Sequence, residues 1–179
     1  MLFRRINFFG GPGCGKSSAS AYLFNKLKVD GYNVELIQEV AKEWAYEKRE
    51  INAWDQLNLF SSQTAREYRV LSSNENIIII CDSPSVLAIP YANKYGFRFC
   101  EQLVEISKGF ELDYPSINFY LERDDCPFNQ EGRYENYEES KYMDIKIKNF
   151  LNENDISYIP TSYKELDYIL NTTKSFLSS

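Results

Sequence analysis

The sequence of 179 residues contains no histidine. This absence excludes catalysis by an imidazole base or nucleophile, and it removes the most common metal ligand. Cysteine is scarce and stands at positions 14, 81, 100 and 126 without a CxxC pair, so we expect no structural zinc site. Cys81 ends an apolar run, which favours a buried free thiol in a reducing compartment.

Long hydrophobic runs are also missing. The longest wholly apolar segment, IIIIC at 77–81, is too short to cross a membrane, and the stretch before the first glycines is too short for a signal peptide. We therefore expect a cytoplasmic protein with no membrane partner. The net charge of -6 argues against broad electrostatic binding to nucleic acid, although a local basic groove would still permit DNA.

Apolar periodicity alternates between strand and helix patterns along the whole chain. We predict strands at 2–10, 32–39, 76–84, 116–123 and 156–161, and helices at 16–29, 40–49, 54–73, 137–153 and 163–177. Residues 85–110 are also predicted as helix, with a break near Tyr95 and Gly96. This alternation predicts a three-layer α/β fold with right-handed crossovers, in one domain that spans residues 1–179.

Four of the eight glycines fall between positions 10 and 15, in the segment GGPGCGKS at 10–17. The spacing fits the phosphate-binding pattern G-x-x-x-x-G-K-[ST], in which backbone N–H groups surround a di- or triphosphate at the start of a helix. Lys16 would reach the β- and γ-phosphates and the Ser17 hydroxyl would bind Mg²⁺. The predicted nucleotide-binding residues are Gly11, Pro12, Gly13, Cys14, Gly15, Lys16, Ser17 and Ser18.

Two alternatives accompany this loop. One is a glycine-rich turn without a ligand, but the pattern lies after a predicted strand and at the start of a predicted helix, so we favour the nucleotide-binding interpretation. Cys14 is either a reactive thiol with a pKa lowered by nearby N–H dipoles or a spacer at a variable position, and we favour the spacer.

Two acidic residues lie near the carboxyl ends of predicted strands. The carboxyl ends of parallel strands meet at one edge of a sheet, so Asp82 should approach the glycine loop and hold the metal ion. The alternative is that Asp82 caps the helix that follows it. Glu39 is a candidate general base for a hydroxyl group or, alternatively, a solvated side chain, with Glu43 as its substitute one helical turn later.

The polar segment 123–139 follows a predicted strand directly and contains proline and glycine. A solvated loop is one interpretation, but its length and its two arginines favour a mobile lid. Arg123 and Arg133 would then stabilise the charge that develops during phosphoryl transfer.

Together these features resemble the NadR-like AAA/P-loop kinase family, typified by the ribosylnicotinamide kinase domain. The resemblance is carried by GGPGCGKS, by QEVAKEW at 38–44, by IIIICDSP at 77–84 and by DDCPFNQEGRY at 124–134. It covers nearly the whole chain and implies a parallel five-stranded sheet with strand order 2-3-1-4-5. It also implies ATP and Mg²⁺ as cofactors and phosphoryl transfer to a nucleoside-like hydroxyl group.

We therefore expect a kinase that transfers the γ-phosphoryl group of ATP to a nucleoside or nucleotide. One alternative acceptor is a hydroxymethylated base within DNA, which the acidic charge does not favour. Another alternative is a switch protein that hydrolyses ATP or GTP slowly, although no NKxD-like guanine signature is present.

Overall fold

Five strands and seven α-helices alternate in the computed structural model, which describes residues 3–178. Their bounds are β1 Arg5–Phe9, α1 Lys16–Val29, β2 Val34–Ile37, α2 Val40–Tyr46, α3 Asp55–Leu71, β3 Ile78–Cys81, α4 Ala88–Lys94, α5 Cys100–Asp113, β4 Ser116–Leu121, α6 Tyr137–Glu153, β5 Ile159–Thr161 and α7 Leu166–Ser178. A 3₁₀ turn, Ser85–Leu87, precedes α4.

The strands form one parallel sheet in the order β2-β3-β1-β4-β5, which confirms the predicted fold class and strand order. Every residue of β1 and β3 is buried, because helices cover both faces of the sheet. Ile6 and Phe8 pack against α1 and α7 on one face. Phe9 packs against α6 on the other face. These contacts create the three predicted layers.

The predicted elements differ from the observed ones mainly at their ends. The second strand is shorter than predicted, and α2 ends at Tyr46 rather than at residue 49. The predicted break between α4 and α5 is present, where Gly96 adopts a positive φ of 75°. Leu2, the first residue of the predicted β1, and the two ends of the predicted 1–179 domain lie outside the described residues.

A buried ion pair joins the centre of the sheet to the helices beneath it. Arg5 Nη2 lies 2.9 Å from Glu67 Oε2, and the two side chains are 2% and 0% exposed. The other oxygen of Glu67 accepts a 2.6 Å hydrogen bond from the backbone N–H of Ser85. Arg5 also contacts Glu111 of α5. This network fixes the segment that follows β3, and with it the position of Asp82.

The carboxyl ends of all five strands lie at the same edge of the parallel sheet. The glycine loop follows β1, Glu39 follows β2 and Asp82 follows β3. Arg123 follows β4, and Tyr163 lies between β5 and α7. Ligands of open parallel sheets bind at this edge, so the fold gathers the predicted site residues there.

None of the helices in the part of the chain that the structure describes combines the length and the apolar content needed to span a bilayer.

Candidate active site

The glycine loop, residues 10–15, turns directly from β1 into α1. Gly13 and Gly15 both have positive φ angles, 82° and 89°, which side chains other than glycine disfavour. A Cβ atom on Gly13 would lie 2.7 Å from Cδ2 of Phe128, and one on Gly15 would lie 2.5 Å from Cβ of Tyr163. Both the backbone conformation and the close approach of these rings therefore require glycine.

Lys16 opens α1, and its side chain folds back over the loop. Its Nζ donates hydrogen bonds to the carbonyl oxygens of Gly10, at 2.8 Å, and Gly11, at 3.0 Å. Only 8% of the residue is exposed. The ammonium group is thus held close to the loop whose N–H groups would surround a phosphate.

Asp82 contacts the loop through Ser17. The Ser17 hydroxyl donates a 2.7 Å hydrogen bond to Asp82 Oδ2. The other oxygen, Oδ1, is buried and has no hydrogen-bond partner among residues 3–178. The alternative role of helix cap does not fit, because Pro84 precedes the 3₁₀ turn without a side-chain cap and Glu67 binds the Ser85 N–H.

The Ser17 hydroxyl and the Asp82 carboxylate would suit a Mg²⁺ ion that binds together with a nucleotide. Mg²⁺ prefers oxygen ligands and usually takes one or two from the protein, with phosphates and water supplying the others. Among the described residues, no group of three or more His, Cys, Asp or Glu side chains forms a metal cage of its own. Ser17 and Asp82 therefore suit a metal ion that arrives with the nucleotide.

Glu39 lies at the N-terminus of α2, beside the same loop. Its Oε2 accepts a 3.2 Å hydrogen bond from the Ser83 hydroxyl. Burial raises the pKa of the Glu39 carboxyl, whereas the charge of Lys16 lowers it, and Asp82 and Glu135 raise it further. A raised pKa makes the deprotonated carboxylate a stronger base than an ordinary one, which suits a group beside a phosphate loop for accepting a proton.

Glu43 occupies a different environment. Both of its carboxylate oxygens accept hydrogen bonds from Arg66 Nη2 at 3.0 Å, on the exposed surface of α2 and α3. It does not line the cavity that contains Glu39. Between the two glutamates, only Glu39 is placed to reach a substrate.

A cavity of about 370 Å³ opens at this edge of the sheet, a volume that suits a small organic molecule. Its lining includes Glu39, Asp82 and the loop residues Pro12, Gly13 and Gly15–Ser18. Residues of α2, α3 and α4 and the turn before α4 also line it, including Val40, Ala41, Gln56, Leu59, Gln63, Leu87, Ala88 and Tyr91. The cavity is thus lined both by charged side chains and by apolar side chains of the helices.

The segment 122–136, which the structure describes throughout, contains no helix or strand. Part of this segment lines the cavity, namely residues 126–127, 129 and 131–135. The Arg133 guanidinium lies over the Phe128 ring, 5.1 Å from its centroid, and donates a hydrogen bond to the carbonyl of Asn129. Tyr134 donates a 2.7 Å hydrogen bond to the Arg49 carbonyl. Residues 137–139 of the predicted lid instead form the first turn of α6, which Asn136 and Glu139 stabilise as a capping box.

Arg123 lies beside the glycine loop rather than in the cavity. Its Nε binds Asp144 Oδ2 at 2.5 Å, and its Nη2 donates to the Pro12 carbonyl at 2.7 Å. Its Nη1 is buried and, within residues 3–178, makes no hydrogen bond. The two arginines of the predicted lid therefore have different positions: Arg133 faces the cavity and Arg123 contacts the outside of the loop.

Asp144 lies in the middle of α6 and contacts the glycine loop, which the sequence analysis did not predict. Its Oδ1 accepts hydrogen bonds from the Gly11 N–H at 2.9 Å and from Cys14 Sγ at 3.2 Å. Gly11 and Cys14 therefore face Asp144 and do not line the cavity, unlike the other predicted loop residues. Burial raises the pKa of the Cys14 thiol to about 12, which agrees with a spacer rather than a reactive thiol.

The fold and the site together define a P-loop domain, in which a glycine loop and an acidic residue after a neighbouring strand face one cavity. A family model described as AAA domain matches residues 5–165, and the chain belongs to this family. No curated protein sequence matches the chain at a significant level.

Solved structures of NadR have the same fold. The crystal structure of NadR in complex with NR is similar with a TM-score of 0.64 and 18% identity, over 89% of this chain and 43% of that one. NadR in complex with NAD and AMP-PNP has a TM-score of 0.73 and 14% identity, over 99% of this chain and 50% of that one. The chain thus spans about half the length of these NadR chains.

A third similar structure is deoxyadenosine kinase from M. mycoides, with products dCMP and a flexible dCDP bound. Its TM-score is 0.61 at 16% identity, over 96% of this chain and 99% of that one. The resemblance predicted from the sequence is therefore confirmed at the level of family and fold.

Proposed function

We propose that the protein is a kinase that transfers the γ-phosphoryl group of ATP to a hydroxyl group of a nucleoside or a nucleotide-like acceptor. The observation that carries this proposal is the position of Glu39. Its carboxyl group shares one cavity with Lys16 and with the Ser17–Asp82 pair. A base close to the phosphate loop is required by a transfer reaction in which the acceptor hydroxyl loses a proton.

Each residue has a distinct role in this reaction. The loop N–H groups and Lys16 bind the phosphates, and Lys16 exchanges the carbonyls of Gly10 and Gly11 for phosphate oxygens. Ser17 and Asp82 would hold Mg²⁺, which would neutralise charge on the phosphates. The acceptor oxygen attacks the γ-phosphorus, its proton passes to Glu39, and ADP leaves. Arg133, which faces the cavity, stabilises the charge that spreads over the transferred group.

The similar proteins support this proposal. The two NadR structures contain NR, or NAD with AMP-PNP, and the third structure is a deoxyadenosine kinase with dCMP and dCDP. A nucleoside-like acceptor and ATP suit a cavity that is lined by both charged and apolar side chains. We further propose that the region 122–136 acts as a lid over the bound substrates.

A screen of ATP consumption with nucleosides, nucleotides and DNA that contains hydroxymethylated bases tests the proposal. Glu39→Gln should lower transfer to the true acceptor by about 10²–10⁴-fold. Because the protonated carboxyl cannot accept a proton, wild-type transfer should also fall as the pH drops through the raised pKa of Glu39, and the variant should lose this pH dependence. Binding of ATP should barely change.

Two variants serve as controls. Glu43→Gln makes the same chemical change one helical turn away, outside the cavity, and should keep near wild-type transfer. Lys16→Ala removes the charge on the phosphates and should abolish transfer. Rapid ATP hydrolysis without any acceptor, removed by Glu39→Gln, would instead show that Glu39 activates water and that the protein is an NTPase.

A further inference from the structure

Gln63 of α3 places a buried amide group in the wall of the cavity. Only 5% of the residue is exposed, and it lines the cavity about two turns after Gln56 on the same helix. Its Oε1 accepts a 3.0 Å hydrogen bond from the Val40 N–H. Its Nε2 is buried and has no hydrogen-bond partner in the part of the chain that the structure describes.

The contact with Val40 fixes which half of the amide is left for a ligand. Val40 is the first residue of α2, and its N–H has no acceptor within the helix. Rotation of the Gln63 amide would place an NH₂ group against that N–H, so the oxygen must remain there. The Nε2 group is therefore the part of the Gln63 amide that lacks a partner, and a buried donor without a partner is unfavourable until a ligand satisfies it.

The surroundings of Gln63 suit a flat, mainly apolar group. Val40, Leu59 and Leu87 line the same cavity, and Tyr91 adds an aromatic ring. Burial raises the pKa of the Tyr91 hydroxyl well above its usual value, so this ring stays neutral. Apolar walls with a few placed polar groups are typical of sites that bind a planar ring and read its edge.

We propose that Gln63 determines acceptor specificity by donating a hydrogen bond from Nε2 to an exocyclic carbonyl oxygen of the acceptor base. An exocyclic oxygen projects beyond the ring and can reach a side chain in the wall. An amino group at the same position would place two donors against each other and leave both unpaired. This inference rests on the proposed function, because it assumes that the acceptor is nucleoside-like.

Two pairs of nucleosides test this assignment, because each pair differs by an exchange of carbonyl and amino groups. The pairs are uridine with cytidine, and inosine with adenosine. We expect wild-type kcat/KM to favour the carbonyl member of at least one pair by about 10- to 100-fold. In Gln63→Met this ratio should fall to near one, while the affinity for ATP is unchanged.

Gln63→Glu separates recognition from the structural contact with Val40. Both forms of this carboxyl group keep an oxygen for the Val40 N–H, but only the protonated form keeps a donor for the acceptor. The carbonyl-to-amino ratio should therefore decline as the pH rises, whereas a purely structural role would give a ratio independent of pH. The titration of Glu39 changes the rate for both nucleosides of a pair equally, so it cancels in the ratio. Gln102→Met, the same change as Gln63→Met on the exposed surface of α5, should behave like wild type.

The outcomes are distinguishable when the binding of each nucleoside is also measured by calorimetry with a non-hydrolysable ATP analogue. Equal ratios in the wild type and Gln63→Met, for nucleosides that are phosphorylated, would overturn the assignment to Gln63 alone. If none of the four nucleosides binds or is phosphorylated, the nucleoside acceptor in the proposed function fails as well, and Gln63 loses the role proposed here.

Discussion

The two carboxylate oxygens of Asp82 differ in their hydrogen bonding, and this difference predicts the effect of Asp82→Asn on turnover. Oδ2 accepts the Ser17 hydroxyl, and Oδ1 is buried without a partner among the described residues. In Asp82→Asn the hydrogen bond to Ser17 can remain, but the negative charge that would hold Mg²⁺ is lost. Turnover should fall by about 100-fold, and saturation should need more Mg²⁺.

Nucleotide affinity should change much less in Asp82→Asn, because most ground-state contacts to the phosphates come from the loop backbone. Turnover measured across a Mg²⁺ titration, together with ATP binding, checks this prediction. The exposed Asp113 at the C-terminus of α5, changed to Asn, is the matched control and should leave both quantities unchanged. An unaltered Mg²⁺ response in Asp82→Asn would argue that the carboxylate only orients Ser17.

At the scale of elements, α6 is connected to the glycine loop and to the residue after β4 through Asp144. The Arg123 and Asp144 side chains are only 12% and 16% exposed, so their ion pair is screened little by solvent. Asp144→Asn should lower the free energy of unfolding by about 1.5–3 kcal/mol, the range for a hydrogen bond that involves a charged group. Urea unfolding of both single variants and of Asp144→Asn with Arg123→Met measures the coupling.

The exposed pair of Lys148 and Glu122 is the control for this cycle. Its side chains are 43% and 54% exposed, so the coupling energy should be about 1 kcal/mol or less. If the Arg123–Asp144 coupling were equally small, this ion pair would not help α6 to anchor the loop, and only the contacts of Asp144 with Gly11 and Cys14 would remain for that role.

The segment 122–136 should exchange its amide hydrogens rapidly without nucleotide and slowly with ATP and Mg²⁺. Most of its backbone lacks the hydrogen bonds of a helix or sheet, and side chains such as Arg123, Tyr134 and Glu135 make its contacts to other elements. Hydrogen exchange measured by mass spectrometry checks this, and β4 provides an internal reference that should be protected in both states. Equal protection with and without nucleotide would argue against a lid.

The stability of the whole molecule should depend on the buried network around Arg5. Arg5 of β1 binds Glu67 of α3 and Glu111 of α5, and Glu67 also binds the Ser85 N–H. Arg5→Met would leave Glu67 buried without its cation. We expect a loss of about 3–5 kcal/mol in the free energy of unfolding, measured with urea.

Lys108→Met, in an exposed pair with Glu105, should change the free energy of unfolding by less than about 0.5 kcal/mol. A loss in Arg5→Met as small as in this control would mean that Glu67 is neutral in the folded protein and needs no cation.

Much of the fold could be predicted because its signals are local in the sequence. The run of isoleucines before Cys81 indicated a strand that is buried on both faces, and the glycine-lysine-serine pattern placed a loop between β1 and α1. The strand order came from the family resemblance rather than from the patterns themselves. Element ends were less accurate, because α2 stops at Tyr46 although the helical pattern continues.

The contacts missed by the sequence analysis join residues that are far apart in the chain. Asp144 binds Gly11 across 133 positions, and an acidic residue within an amphipathic helix usually indicates only a solvated surface. The contact of Gln63 with Val40 was missed for the same reason, since it depends on how α2 and α3 pack. Such contacts follow from tertiary packing, and no local pattern in a single sequence indicates them.

The hydrogen bonds of Lys16 have one more consequence for the energetics of nucleotide binding. Its ammonium group is already paired with the carbonyls of Gly10 and Gly11, so an arriving phosphate replaces existing partners instead of meeting a free charge. The heat released on binding therefore reports an exchange between two sets of partners, and it should be smaller than the strength of the lysine–phosphate contact alone suggests. Release of the product benefits from the same exchange, because the two carbonyls take the lysine back as ADP leaves.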